Sequence, residues 1–140
     1  VGADHAIDVT ADDPVEAVMD LTGGFGASLA VDLASAPITP GLCFDLVHQR
    51  GTVVWAGLKD RQAVPVVSDK VVMKGLTVLG GAGGDVASVD EAARILNEGD
   101  FPTGPLLGTV VGLEDVDRAM ALLHRDGDED SVRAVLQHSH

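Results

Sequence analysis

The chain has 140 residues, 46% of them hydrophobic, with 22 acidic against 9 basic side chains and a formal net charge of −13 at neutral pH. That length and apolar content suit one domain with a core and exclude a disordered chain, and the negative charge excludes nucleic acid or an anionic membrane as partner because both would repel it. No apolar run approaches the roughly 20 residues that span a bilayer, the opening residues resemble no signal peptide, and a single cysteine, Cys43, permits neither an intrachain disulfide nor a zinc cluster.

The chain opens on Val1-Gly2-Ala3-Asp4 without a methionine or lead-in, which suggests a segment of something longer. Ala6–Val9 reads as a first short strand. Asp13-Pro14-Val15-Glu16 announces a helix through an acidic N-cap, a proline at the first helical position and an acid three residues after the cap. Val15, Val18, Met19 and Thr22 supply its apolar face, and Gly23-Gly24 ends it. Ser28–Ala34 alternates, with Leu29, Val31 and Leu33 on one side and Ala30, Asp32 and Ala34 on the other, which predicts a strand. An unpaired buried charge is costly, so Asp32 belongs at a strand end or cleft, or at an edge open to water.

Pro40–Arg50 carries Leu42, Leu46 and Val47 at helical spacing and is predicted to stay helical up to Gly51. Cys43 sits among Leu42, Phe44 and Leu46 and reads as small core filler. Gly51–Leu58, a short apolar run bounded by glycines, is the strand around which the chain is organised. Helix feeding directly into buried strand is half of a βαβ unit. Gly57, at the strand's carboxyl end, either starts a turn or permits a close backbone approach, and open parallel sheets bind ligands at those ends.

Lys59–Val67 is irregular and broken by Pro65, Ser68–Lys74 predicts a short helix, and Leu76–Leu79 predicts a further strand. Gly80-Gly81-Ala82-Gly83-Gly84 follows, a linker or a shaped loop. Ser88-Val89-Asp90-Glu91 has the form of a capping box, with Val89, Ala92, Ile95 and Leu96 as the buried stripe and Gly99 as the C-cap. A loop containing Pro102 and Pro105 leads to an extended segment at Leu106–Val111. The helix Leu113–His124 follows with its apolar face on Val116, Met120 and Leu123, then an acidic turn at Asp126–Asp130 and a last strand at Val132–Leu136. Strands alternating with helices at this spacing predict an α/β fold whose parallel sheet is covered on both faces.

The ordered runs GADHAIDV, LTGG, LAVDLAS, RGTVVWAGL, KGLTVLGG and LNEGDF, with the ending GLEDVDRAMALLHRDGDEDSVRAVL, resemble the medium-chain dehydrogenase/reductase family, to which zinc-type alcohol dehydrogenases belong. The resemblance covers essentially the whole chain and lies in the order of many weak motifs. It implies the second half of a Rossmann-type doubly wound parallel sheet, plus the family's C-terminal helix and strand. Residues 1–140 are then a partial nucleotide-binding domain, with the catalytic domain and the first βαβ units absent.

What the resemblance implies about function is an NAD(P)-dependent oxidoreductase transferring a hydride between an alcohol or carbonyl compound and NAD or NADP. Leu33, Ala34 and Ser35 match residues lining the adenosine side after the family's fourth strand. Ala56, Gly57 and Leu58 match those beside the nicotinamide after the fifth. Gly80, Gly81 and Ala82 match the stretch near the carboxamide after the sixth. Arg133 matches an arginine that reaches the pyrophosphate, as a guanidinium can through two donors; the alternative is an ion pair with Asp128 or Glu129. A side chain added at Gly57 is then expected to obstruct the cofactor before it harms the fold.

The family's zinc ligands and phosphate loop have no counterpart here. His5, His48, His124, His138 and His140 match no ligand position, so zinc belongs to the full-length protein and not to this segment. The isolated chain is expected to be inactive, to bind no NAD measurably and to associate through exposed edges or shift its first strand against the fourth. The resemblance also implies a homodimer pairing Leu76–Leu79 edge to edge, and a cytoplasmic location. Two alternatives stand beside this reading: a zinc-free quinone reductase-type member of the family, and a non-catalytic α/β binding or interaction module.

Overall fold

The computed structural model describes residues 2–99, 101–102, 104, 108–123 and 133–138. They form two compact units, one of Ala3–Gly83 and one that takes in Gly2 and begins again at Gly84. The division falls at the end of the glycine run. Its first part is shaped, since the Gly81 amide donates to the Trp55 carbonyl at 2.8 Å.

The first unit runs α1 (Pro14–Leu21), β1 (Ala27–Asp32), α2 (Thr39–Leu46), β2 (Val47–Trp55), α3 (Ser68–Lys74) and β3 (Thr77–Gly80). The three strands are parallel in the order β1-β2-β3, which puts the predicted organising strand at the centre. α1 starts where the sequence predicts, with Asp13 accepting from the amides of Val15 at 2.8 Å and Glu16 at 3.1 Å. Ala6–Val9 is not a strand and does not shift against β1. Asp8 instead bonds the Thr10 amide and hydroxyl in a local turn, and no described strand runs beside the segment to satisfy its backbone.

α2 ends at Leu46, four residues before the predicted stop, and β2 begins at once with Val47. Burial decides this. Val47 is 0% exposed in the core, while Lys74 reaches across from α3 to donate to the carbonyls of Phe44 at 2.7 Å and Val47 at 2.9 Å. The lysine thus satisfies carbonyls that the end of a helix leaves open. His48–Arg50 then form a bulge: Ala27 pairs with Val47 but Leu29 with Thr52, so a five-residue step faces a two-residue step. Arg50 takes a φ of 63°, and a Cβ on Gly51 would meet the Val47 Cβ at 2.8 Å and the His48 carbonyl oxygen at 2.9 Å. Gly51 is therefore the closing residue of the bulge and not a helix stop.

Register sorts the strand residues into two rows. Ala30, Val53 and Val78 are aligned and face α2 and α3, packing with Cys43, Phe44, Val47, Val71 and Trp55. Cys43 is buried filler as expected, and burial pushes its thiol pKa up. Val31, Val54 and Leu79 form the opposite row, where Val31 is 49% and Leu79 51% exposed. The expected cover on both faces is thus not found within this unit. Both crossover helices of a one-way strand order pack on the same side.

The second unit holds α4 (Val86–Glu98), β4 (Thr109–Gly112), a 3-10 turn (Leu113–Asp115), α5 (Val116–Leu123) and β5 (Ala134–Gln137), with β4 and β5 parallel. The N-cap of α4 is Asp85, not Ser88: its carboxylate takes the Ser88 amide at 2.8 Å and the Ser88 hydroxyl at 2.7 Å. The stripe Val89, Ala92, Ile95 and Leu96 is exposed rather than buried. On α5 the buried residues are Ala119 and Leu122, packed on Val111 and Ala134, while Val116, Met120 and Leu123 are exposed. The small Ala119 lets the helix lie close on β4 and β5, which turns the predicted face outward. His124, Pro105–Leu107, Asp126–Asp130 and Val132 lie outside the described residues.

Candidate functional site

The carboxyl ends of β1, β2 and β3 lie side by side and carry the three stretches for which the family resemblance implies cofactor contact: Leu33–Ser35, Ala56–Leu58, and Gly80–Ala82, whose first residue ends β3. Nine of the ten residues singled out are thus brought to one end of one sheet, the place where an open parallel sheet offers a ligand crevice. Arg133 stands in the second unit, directly before β5, where its carbonyl accepts from the Thr109 amide at 3.0 Å. Asp128 and Glu129, its alternative partners, lie outside the described residues.

Asp32 ties the first two loops together. It is the last residue of β1 and only 3% exposed, which settles the sequence alternatives in favour of a strand end over an edge open to water. Its backbone carbonyl accepts from the amides of Ala56 at 2.9 Å and Gly57 at 2.8 Å. One carboxylate oxygen accepts from the Ala34 amide at 3.1 Å and the Thr39 hydroxyl at 2.8 Å, and the other meets the Lys59 ammonium at 2.9 Å. Lys59 also donates to the carbonyls of Gly57, at 3.1 Å, and Ala34. Burial pushes the Asp32 pKa up, but the bonds from Lys59, Thr39 and the Ala34 amide outweigh it and hold the carboxyl below its ordinary value. Removing one partner of such a buried pair strands the other and costs about 3–5 kcal/mol.

Sequence reading missed Lys59, which stands in a segment with no periodic pattern. The one available signal was Asp32 itself, a carboxylate inside an apolar strand and therefore in need of a cation.

Beside the pair, Ser35, Pro37, Leu58, Lys59, Asp60 and Gln62 line a cleft of about 220 Å³. Leu33 is 75% and Leu58 83% exposed, so apolar side chains stand free at the loop tips. Gly57 behaves otherwise than expected. A Cβ there would overlap the Ala34 carbonyl oxygen and come within 2.8 Å of the carbonyl carbons of Ala34 and Leu33. The glycine is required by neighbouring backbone, so an added side chain harms the fold first. Gly81 is tighter than Gly80: a Cβ on Gly81 would meet Ala56 and Val54 side chains at 3.3 Å, whereas Gly80 has open space. Among the described residues no group of three or more His, Cys, Asp or Glu side chains could hold a metal ion, so these residues do not fit a zinc site. Nor is any described helix long and apolar enough to cross a membrane.

Residues 1–98 match the family model described as zinc-binding dehydrogenase. A Mycobacterium tuberculosis protein described as "Probable alcohol dehydrogenase adh" is 39% identical over 131 residues, covering 90% of this chain and 35% of that protein. A sorbitol dehydrogenase of Halalkalibacterium halodurans is 30% identical over 98 residues, 70% of this chain and 29% of its own length. Among solved structures, alcohol dehydrogenase TADH from Thermus sp. ATN1 shares the fold with a TM-score of 0.87 at 21% identity, covering 99% of this chain and 40% of that one. The chain belongs to the zinc-binding dehydrogenase family, within the medium-chain dehydrogenase/reductases. It spans about a third of the length of the curated relatives it matches.

Two outcomes follow from this geometry. Gly57→Ala should destabilise the protein by about 1–3 kcal/mol or more, because backbone must move to admit the methyl group. Urea denaturation measures it, and an unchanged midpoint would contradict the packing described. The second concerns acid. Above pH 3.8, the ordinary aspartate value, Asp32 is ionised in folded and unfolded chains alike and its contribution is complete. Below that pH the unfolded chain takes up the proton first, and the contribution is lost as pH falls through the lowered folded value. The double variant Asp32→Asn/Lys59→Met should therefore lose less stability on acidification from about pH 6 to pH 2 than the wild type. Identical acid slopes would count against a native-state bias on Asp32.

Proposed function

We propose that this chain forms part of the nucleotide-binding domain of an NAD(P)-dependent alcohol dehydrogenase-like oxidoreductase. Residues 1–140 supply the second half of the doubly wound domain, with its C-terminal helix and strand. The observation that carries this reading is the arrangement of Leu33–Ser35, Ala56–Leu58 and Gly80–Ala82 on the carboxyl ends of three adjacent parallel strands, in a chain of the zinc-binding dehydrogenase family. When bound, the nicotinamide supplies or accepts the hydride. The residues of this chain form one wall of its crevice: Leu33, Ala34 and Ser35 on the adenosine side, and Ala56, Gly57, Leu58, Gly80, Gly81 and Ala82 towards the nicotinamide. Arg133 is assigned to the pyrophosphate, for which its guanidinium is chemically suited.

Such a wall orients a cofactor and excludes water from one side of it. We assign it no acid, base or nucleophile, and assign the substrate alcohol or carbonyl compound and any zinc to other parts of a whole protein that we place in the cytoplasm. The isolated 140-residue chain should accordingly be inactive. Calorimetric titration with NADH and NADPH tests the reading: the whole protein should bind one of them at micromolar concentration and the isolated chain neither. Micromolar binding by the isolated chain would show that this segment holds the site by itself.

We further assign a homodimer to the edge of β3, which carries no charged side chain to discourage pairing. Val78 packs against the core and is unsuited to a test, whereas Leu79 is 51% exposed. Light scattering of the whole protein should find a dimer, and Leu79→Lys should shift it towards monomer. Two identical species would remove β3 from the interface.

A further inference from the structure

The Lys59 ammonium has three protons and three acceptors inside the chain: the Asp32 carboxylate at 2.9 Å, the Gly57 carbonyl at 3.1 Å and the Ala34 carbonyl. Its donors are fully used, so it has none left for a phosphate or a substrate oxygen. Two of those acceptors belong to different loops, one after β1 and one after β2. With no cis peptide among the described residues, an amide N–H points opposite to the carbonyl of the same peptide unit. Drawing the Ala34 and Gly57 carbonyls inward therefore turns the Ser35 and Leu58 N–H groups away from the ion pair. Neither N–H has an acceptor among the described residues, and both residues line the 220 Å³ cleft.

A lysine needed only to neutralise Asp32 would contact the carboxylate and leave its remaining protons to water. Here the side chain is 9% exposed and bridges two backbone segments beyond the last paired residues of β1 and β2, where the other backbone link is the Asp32 carbonyl that accepts from the Ala56 and Gly57 amides.

Resting on the cofactor-binding reading, we propose that Lys59 is a positioning residue: it clamps the Ala34 and Gly57 carbonyls and so fixes the two adjacent loops, with the Ser35 and Leu58 N–H groups outward, in the geometry that receives the nicotinamide cofactor. It acts through those peptide units and touches no reacting atom. Stabilising Asp32 is a second and separable consequence of the same side chain.

The whole protein carrying Asp32→Asn/Lys59→Met separates the two roles, because it removes the clamp without stranding a buried charge. Its melting temperature should return most of the way from that of Lys59→Met to that of the wild type. Its Kd and KM for NADH or NADPH should remain raised by about tenfold or more, with kcat at saturating cofactor changed less than about twofold. Lys59→Arg serves as the second variant. It keeps the charge, but a planar fork cannot meet three acceptors converging on one point, so cofactor affinity should again fall. Wild-type Kd and KM in either variant would overturn the positioning role while leaving the cofactor reading intact. A wild-type protein that binds neither NADH nor NADPH would overturn both.

Discussion

The buried pair between Asp32 and Lys59 is the constraint on which the loop end of this sheet depends. A carboxylate 3% exposed at the end of a strand is tolerable only if its oxygens are fully partnered, and here Lys59, Thr39 and the Ala34 amide partner them. Each partner comes from a different piece of chain: the loop after β1, the start of α2 and the loop after β2. Satisfying one charge therefore brings three backbone segments to fixed positions. The close passage of Gly57 past Ala34 belongs to the same construction, since it brings the Gly57 carbonyl within reach of the lysine that also holds Ala34.

The opposite end of the sheet is fixed by different means. Val47 leaves α2 for the core, the bulge at His48–Arg50 absorbs the extra length, and Gly51 closes it where no side chain fits. Lys74, at the end of α3 and one strand on in the sequence, holds the carbonyls exposed where α2 stops. Lysines thus bind backbone at both ends of the unit, one beside the cleft after β1 and β2 and one at the far end of α2. Between them the row Ala30, Val53 and Val78 packs on α2 and α3, which keeps three strand ends in register and presents three loops together.

Much was legible because the signals were local. Asp13-Pro14 encodes the start of α1, Ser68–Lys74 gives α3 at its observed bounds, Gly99 takes the left-handed C-cap conformation, and the β-branched run in β2 is a strand by composition. That Leu33–Ser35, Ala56–Leu58 and Gly80–Ala82 lie at the ends of neighbouring strands was legible as well, since it depends on the order of elements. Errors arose where a pattern had two solutions. Leu46 and Val47 continue a helical period as readily as they begin a strand, and only the core pocket that takes Val47 chooses between them. Val116, Met120 and Leu123 satisfy the helical period equally with Ala119 and Leu122, and the close approach to β4 and β5 selects the second set.

The sequence by itself therefore determined the α/β class and the order of elements from α1 onward, because capping, β-branching and glycine placement act over a few residues. Only the tertiary structure decided that Ala6–Val9 remains irregular, that Gly57 is demanded by backbone, and that Lys59 is the cation Asp32 requires. The reason is range. Asp32 and Lys59 are 27 positions apart, joined across a crossover helix, and nothing local marks the lysine until two parallel strands lie side by side.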